Sequence, residues 1–353
     1  MQTRPTSQTP RISTKYPADR VYRAFRVFRG FVIPMRVAAS RRSSLAWTAG
    51  ALASLLAASA LSAAPADATR TPGSRFRDCP DICPEMVVIP AGSFLMGPPP
   101  GDPHRQNEEQ PQHRVNIAYV FAVGRFEVTR DEYAVFVSDT KLPDPEGCNV
   151  HEPPRWPTIM GLSWHNTGFP QTGRDPVVCV SWKEAQAYAG WLSRKTGHTY
   201  RLLSEAEWEY TDRAGTDSPA YWGDDPNEAC KYANGVDATL TERFPKGKWE
   251  DRVRCHDGFV FTAPVGSFKP NAFGLYDMEG NAFEWVEDCL SDDYQGAPTE
   301  GSARTEGADC NTRVNRGGSW TSIPTGLRAA HRGADHFSST RVVDLGFRVA
   351  RTL

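Results

Sequence analysis

The chain has 353 residues, of which 39% are hydrophobic, with 29 glycines, 28 prolines and a formal net charge of −2. This length admits two average domains or one large irregular one, and the Gly and Pro content argues against a fold of long regular elements. Ten Lys or Arg and the single acid Asp19 fall in the first 42 residues, but they lead into an apolar run, which an export signal explains better than a nucleic-acid partner does.

Residues 1–68 read as an N-terminal extension ending in a signal peptide. Arg41 and Arg42 lead into an Ala- and Leu-rich run that ends at Leu61, and Ala66 and Ala68 supply an Ala-x-Ala exit. Thr48, Gly50, Ser54 and Ser59 interrupt the run. Cleavage is therefore expected, leaving no stable membrane span and a periplasmic or secreted product. The paired arginines suggest twin-arginine export, with Met35 as an alternative start.

All eight cysteines, Cys79, Cys83, Cys148, Cys179, Cys230, Cys255, Cys289 and Cys310, follow the cleavage point. An even number confined to the exported part points to disulfides. Connectivity stays open, although pairing neighbours in order would staple loops. No CxxC pair supports a zinc site.

Residues 69–83 read as a linker and 84–353 as the folded domain. Residues 86–97, apolar, β-branched and punctuated by Pro90 and Gly92, look like a hairpin-like pair of short strands, and residues 115–126 like a further strand. Thr129 with Glu132, Ser181 with Glu184 and Ser204 with Glu207 fit the capping box, so each should open a helix. In the second, Trp182, Ala185, Ala189 and Leu192 share a face and Gly197 is placed to end it. Beyond Arg213 helical periodicity fades into short aromatic segments separated by Gly, Asp, Asn and Pro.

Seven segments, in order and together covering nearly all of residues 84–353, resemble the sulfatase-modifying-factor or formylglycine-generating-enzyme family. They are residues 86–97, 126–136, 176–191 and 201–210, the stretch 274–285 with Asp277, Gly280 and Glu284, the turn Arg316-Gly317-Gly318-Ser319-Trp320, and Leu345-Gly346-Phe347-Arg348. The resemblance implies an α+β fold of the complex, irregular C-type-lectin-like kind, with low regular secondary structure. It also implies two structural calcium sites, one from Asn234, Gly235, Asp257 and Phe259, the other from Asp277, Gly280, Ala282 and Glu284. These are hard oxygen donors of the sort calcium takes.

The departure lies after the Gly-Gly-Ser-Trp turn. Aerobic family members place two copper-binding cysteines there, whereas this chain has Ser322 at the first position and no cysteine from Asn311 to Leu353. Cu(I) takes soft thiolates in preference to a hydroxyl, so copper-dependent cysteine oxidation is not expected. Ser319, Ser322, Arg328 and His331 become the candidate cleft positions. His331 and His336, with Asp335 and Asp344, offer a set that could bind iron, although the iron-using sulfoxide-synthase branch draws its histidines largely from an added helical domain. His113 and His256 stand alone. The exported branch that matures the pyoverdine chromophore also lacks the cysteine pair and is the nearer analogue in architecture.

Ser319, Trp320, Arg328 and Arg332 could line a cleft for a peptide or small metabolite, or form a buried ion network supporting Glu284 and Asp344. Three functions follow: an exported oxidoreductase-type maturation factor without the copper mechanism, a noncatalytic binding or scaffold module of lectin-like fold, or a sulfatase activator with an atypical site. No phosphate-binding loop, HExxH or GxSxG motif supports a kinase or hydrolase.

Overall fold

The computed structural model describes residues 70–80, 82–150, 157–245, 251–306 and 309–353. The signal peptide, its arginine pair and the start at Met35 lie outside the described residues. Local chemistry starts three helices where the capping boxes stand. Thr129 Oγ1 accepts from Glu132 N–H while the Glu132 carboxylate accepts from Thr129 N–H, opening α1 (Arg130–Thr140). Ser181 and Glu184 open α2 (Trp182–Thr196), and Ser204 and Glu207 open α3 (Glu205–Arg213), by the same exchange. Gly197 ends α2 in the left-handed region at φ 74°. After α3, α4 (Ala238–Arg243) is only six residues long.

The strands are β1 (Arg75–Phe76), β2 (Met86–Ile89), β3 (Gly92–Met96), β4 (His113–Ile117), β5 (Phe121–Gly124), β6 (Gly147–Asn149), β7 (Thr158–Met160), β8 (Tyr200–Arg201), β9 (Phe283–Leu290), β10 (Asp309–Arg316), β11 (Arg332–Phe337), β12 (Leu345–Gly346) and β13 (Ala350–Thr352). One sheet has the order β1-β2-β5-β13-β8, a second β11-β10-β9-β12, and β3-β4 and β6-β7 form two ribbons. Few helices set among short strands and long loops make the α+β class plain.

Two strand expectations are corrected. Residues 86–97 are not a hairpin: β2 pairs with β5 and β3 with β4, so residues 86–96 run antiparallel to 113–124 as one bent ribbon. The stretch 115–126 is correspondingly two strands in two sheets. The bend falls between the Ile89↔Phe121 and Gly92↔Ile117 pairs, where Pro90 has no N–H to continue a ladder. Of the stretch read as a linker, residues 75–76 form the edge strand β1, and Asp78 accepts from Tyr200 Oη at 2.6 Å and pairs with Arg351 at 2.7 Å.

Ala185, Tyr188, Ala189 and Leu192 of α2 join Tyr133 and Phe136 of α1 and Phe347 in one buried cluster. Trp182, expected on the same face, is half-buried: its indole N–H donates to Val286 O at 2.8 Å and the Arg313 guanidinium lies 3.8 Å over its ring. All eight cysteines pair in sequence order, Cys79–Cys83, Cys148–Cys179, Cys230–Cys255 and Cys289–Cys310. No thiol remains free. Among the described residues, no helix is long and apolar enough to cross a membrane.

Candidate functional site

Strand β10 delivers Arg316 to the Gly317–Gly318 turn. Both glycines have positive φ, 94° and 73°, and a Cβ would stand 2.8 Å from Met278 O at the first and 2.7 Å from Gly326 O at the second. Only glycine meets both demands. Ser319 Oγ donates to Asp344 Oδ2 at 2.8 Å and lies 2.8 Å from Thr321 Oγ1. Ser322 Oγ accepts the Ser319 N–H at 3.0 Å. Both serines are buried, so their hydroxyls hold the turn together. Trp320 is buried between Phe169 and Phe261 at 5.6 and 5.2 Å and belongs to the core, not to a cleft.

The arginines form a buried ion network, but with other partners than Glu284 and Asp344. Arg328 is bidentate to Glu109, with Nη2 at 2.7 Å from Oε1 and Nη1 at 3.2 Å from Oε2, and its Nη2 also donates to His104 O. Arg332 is bidentate to Glu205 at 2.7 and 3.1 Å. Arg316 and Arg213 share Glu209. Burial pushes Glu209 up, but the two guanidiniums outweigh it and hold the carboxyl below its usual range. Glu284 is engaged by Arg348 and by Trp208 Nε1, the latter at 2.8 Å. Charges this deep are tolerable only as such pairs.

His331 follows the same wall, held by a backbone bond to Arg328 O. Its Nδ1 is buried without a hydrogen-bond partner. Burial, then the charges of Arg328 and Arg316, push its pKa down to about 3, so the ring is neutral. His331 lies against Phe283 and His336 against Trp285, each at 6.2 Å between ring centroids. Asp344 is committed to Ser319 and Thr321. Among the described residues, no three His, Cys, Asp or Glu side chains gather into a group that could hold a metal ion; of the set considered for iron, the Asp335 side chain lies outside the described residues. His113 Nδ1 contacts Pro111 O and His256 pairs with Glu242 on the surface.

Of the four candidate residues, Arg328 lines a cleft of about 190 Å³ that opens beside this wall. Pro324, Leu327 and Arg328 from one segment line it together with Trp222, Asp224 and Asp225 from another. The second segment was missed by sequence reasoning. Its signal, an aromatic pair followed by Gly, two acids and Pro at residues 221–226, lies in the part without periodicity. Behind it, the buried Asp212 and Glu279 carboxyls face each other, and both are pushed up by burial first.

The calcium ligands can be tested on orphaned atoms. Phe259 N–H donates to Asp257 Oδ1 at 2.7 Å, and Asp257 Oδ2 is buried without a partner. Burial and the nearby Asp237 push the Asp257 carboxyl up to about 8. An unsatisfied buried carboxylate beside turn carbonyls fits a hard cation. In the second set Asp277 Oδ1 is likewise orphaned, but Glu284 is already neutralised by Arg348. Asn281 and the Ala282 amide bond Glu127. In the first set the orphaned Asp257 oxygen is the atom that suits calcium, and in the second the Asp277 oxygen. The two sets adjoin, since Asn281 N–H donates to Asn234 O at 2.8 Å.

The domain family described as Sulfatase-modifying factor enzyme 1-like matches residues 73–353. The chain belongs to this family. It is 31% identical to the formylglycine-generating enzyme of Thermomonospora curvata over 274 residues, 68% of this chain and 84% of that one. With the formylglycine-generating enzyme of Mus musculus it shares 31% over 299 residues, 75% of this chain and 74% of that one. Among solved structures, PvdO from Pseudomonas aeruginosa matches with a TM-score of 0.68 and 41% identity, covering 80% of this chain and 99% of PvdO. Treponema denticola variable protein 1, at 23% identity and a TM-score of 0.56, shares the fold.

Proposed function

We propose that this family member is an exported, oxidoreductase-type maturation factor that acts on a peptide or a peptide-derived metabolite without a thiolate-bound copper. Two electrons and two protons leave the substrate for an external acceptor of the dioxygen class. Membership of the family supports the oxidative part of this reading, and the fate of the sulfur supports the part without copper: four disulfides consume all eight cysteines, and Ser322, at the turn's cysteine position, spends its oxygen on Ser319 N–H. Four disulfides also suit an oxidising compartment.

The test has two arms. Purified oxidised protein given Cu(I) and a Cys-x-Pro-x-Arg peptide should form no aldehyde, read by mass spectrometry; stoichiometric aldehyde overturns the reading. A strain lacking the chain should accumulate the reduced precursor of an exported peptide or metabolite. An unchanged exported profile would leave the binding module as the better description.

Calcium belongs to the same proposal, as a fold-stabilising ion held by Asn234, Gly235, Asp257 and Phe259. An ion that binds only the folded state raises stability by mass action. Chelation should lower the melting temperature of the wild type but not that of Asp257→Asn; equal shifts in both would rule this site out.

A further inference from the structure

The cleft has a chemistry of its own. At about 190 Å³ it is smaller than the roughly 300 Å³ at which pockets begin to engulf drug-sized ligands, so it seats one side chain or ring. Its aromatic wall is rigid. Trp222 stacks on Tyr232 with 5.6 Å between centroids and 11° between planes, and meets Tyr221 edge-on at 5.0 Å. Tyr221 is itself pinned, its hydroxyl bonding Tyr232 O and Lys269 O. A flat side chain held from behind makes a stacking platform that loses little entropy when a ligand arrives.

Negative charge dominates the open side of that platform, while Lys269 Nζ lies 5.4 Å from the centroid of the Tyr232 ring behind it. Arg328 is the formal cation in the wall, and Glu109 cancels it through both oxygens, with Asp102 a further 3.6 Å away. Asp224 and Asp225 on the opposite side are exposed. Asp225 is also positioned: its Oδ1 accepts from Asn227 N–H at 2.9 Å as the cap of the short 3-10 turn Pro226–Lys231. His104 is the other basic side chain in the lining. A platform whose ring face attracts cations therefore stands beside two carboxylates that no described ion pair neutralises.

We infer that the cleft seats a cationic group carried on a ring or apolar stem, an amidinium, guanidinium or ammonium, with the ring or stem against Trp222 and the charge facing Asp224 and Asp225. This rests on the reading that the site receives a peptide or peptide-derived metabolite, and it narrows that substrate to one bearing a positive charge at the bound group. Acidic and neutral aromatic substrates are disfavoured by the same two carboxylates.

The experiment uses the mature disulfide-bonded protein with benzamidinium and its neutral isostere benzamide, binding being followed by Trp fluorescence and calorimetry. Benzamidinium should bind at least about tenfold more tightly, the scale of a partly desolvated cation–π contact with carboxylate support. The double variant Asp224→Asn, Asp225→Asn should erase the preference, bringing the two affinities to within about twofold of each other. Asparagine caps helices as well as aspartate, so this variant keeps the fold that Trp222→Ala could disturb. Equal binding of the two probes, or a preference that survives the double variant, would overturn the inference. Selective binding together with an unchanged exported profile in the deletion strain would instead sink the oxidative reading and leave the cation seat standing.

Discussion

The two walls of the cleft are built on opposite principles. The first belongs to the segment from Ser319 to Arg332, of which Pro324, Thr325, Leu327 and Arg328 reach the cleft; it is rich in polar groups, yet nearly all are spent inside the protein: Ser319 on Asp344, Ser322 on the Ser319 amide, Arg328 on Glu109 and Arg332 on Glu205. The wall from Trp222 to Asp225 has fewer polar groups, but its carboxylates are exposed and its aromatic ring is buttressed from behind. Residues that look chemical can thus be scaffold, while recognition falls to a segment with no motif. The family turn holds the first wall in place, and what the cleft binds is decided on the second.

Breaking the first wall should cost stability before anything else. Arg328→Ala leaves Glu109 fully buried and unpaired, and a loss of about 3–5 kcal/mol in denaturant unfolding is expected for an uncompensated buried charge. Ser319→Ala removes the donor to Asp344 and should cost about 1–3 kcal/mol. A change below the noise in either would mean that this wall is not scaffold. Ser322→Cys returns one thiol to the turn but no partner for it, so Cu(I) with a Cys-x-Pro-x-Arg peptide should still give no aldehyde.

His331 gives the comparison a pH signature. Its pKa in the folded protein, about 3, lies below the ordinary value of 6.5, so between those limits the unfolded chain binds a proton that the native state refuses. Stability should fall as pH drops through that window, by at most about 1.4 kcal/mol per pH unit from this group. His331→Gln should flatten that part of the acid limb, measured as unfolding free energy against pH; an unaltered slope would place the ring in contact with water. The smallest effect belongs to the second wall. Asp224→Asn with Asp225→Asn should move stability by no more than about 0.5 kcal/mol while changing which probe binds.

What was legible beforehand was mostly local. The caps at Thr129, Ser181 and Ser204 were readable because donor and acceptor sit three residues apart, and the family turn because Gly317 and Gly318 answer a backbone demand. Neighbour-in-order disulfides were a natural option, as each closes a short loop. The hairpin assigned to residues 86–97 failed because both of its strands find their partners in residues 113–124. The network around Arg328 had the right character and the wrong carboxylates. Glu109 lies 219 residues away in the chain, and nothing in either segment's pattern announces the other.

The sequence by itself determined the family, the helix starts and the absence of a thiolate pair after the Gly-Gly-Ser-Trp turn, because each follows from residue identity or from spacing within a few positions. Tertiary structure alone decided that Ser319, Ser322 and Trp320 are interior, that Arg328 and Arg332 are neutralised, and that Trp222, Asp224 and Asp225 line one cleft with Arg328. Burial and charge pairing depend on which distant segments meet, and in a fold with so little periodic structure the chain writes down few of those meetings in advance.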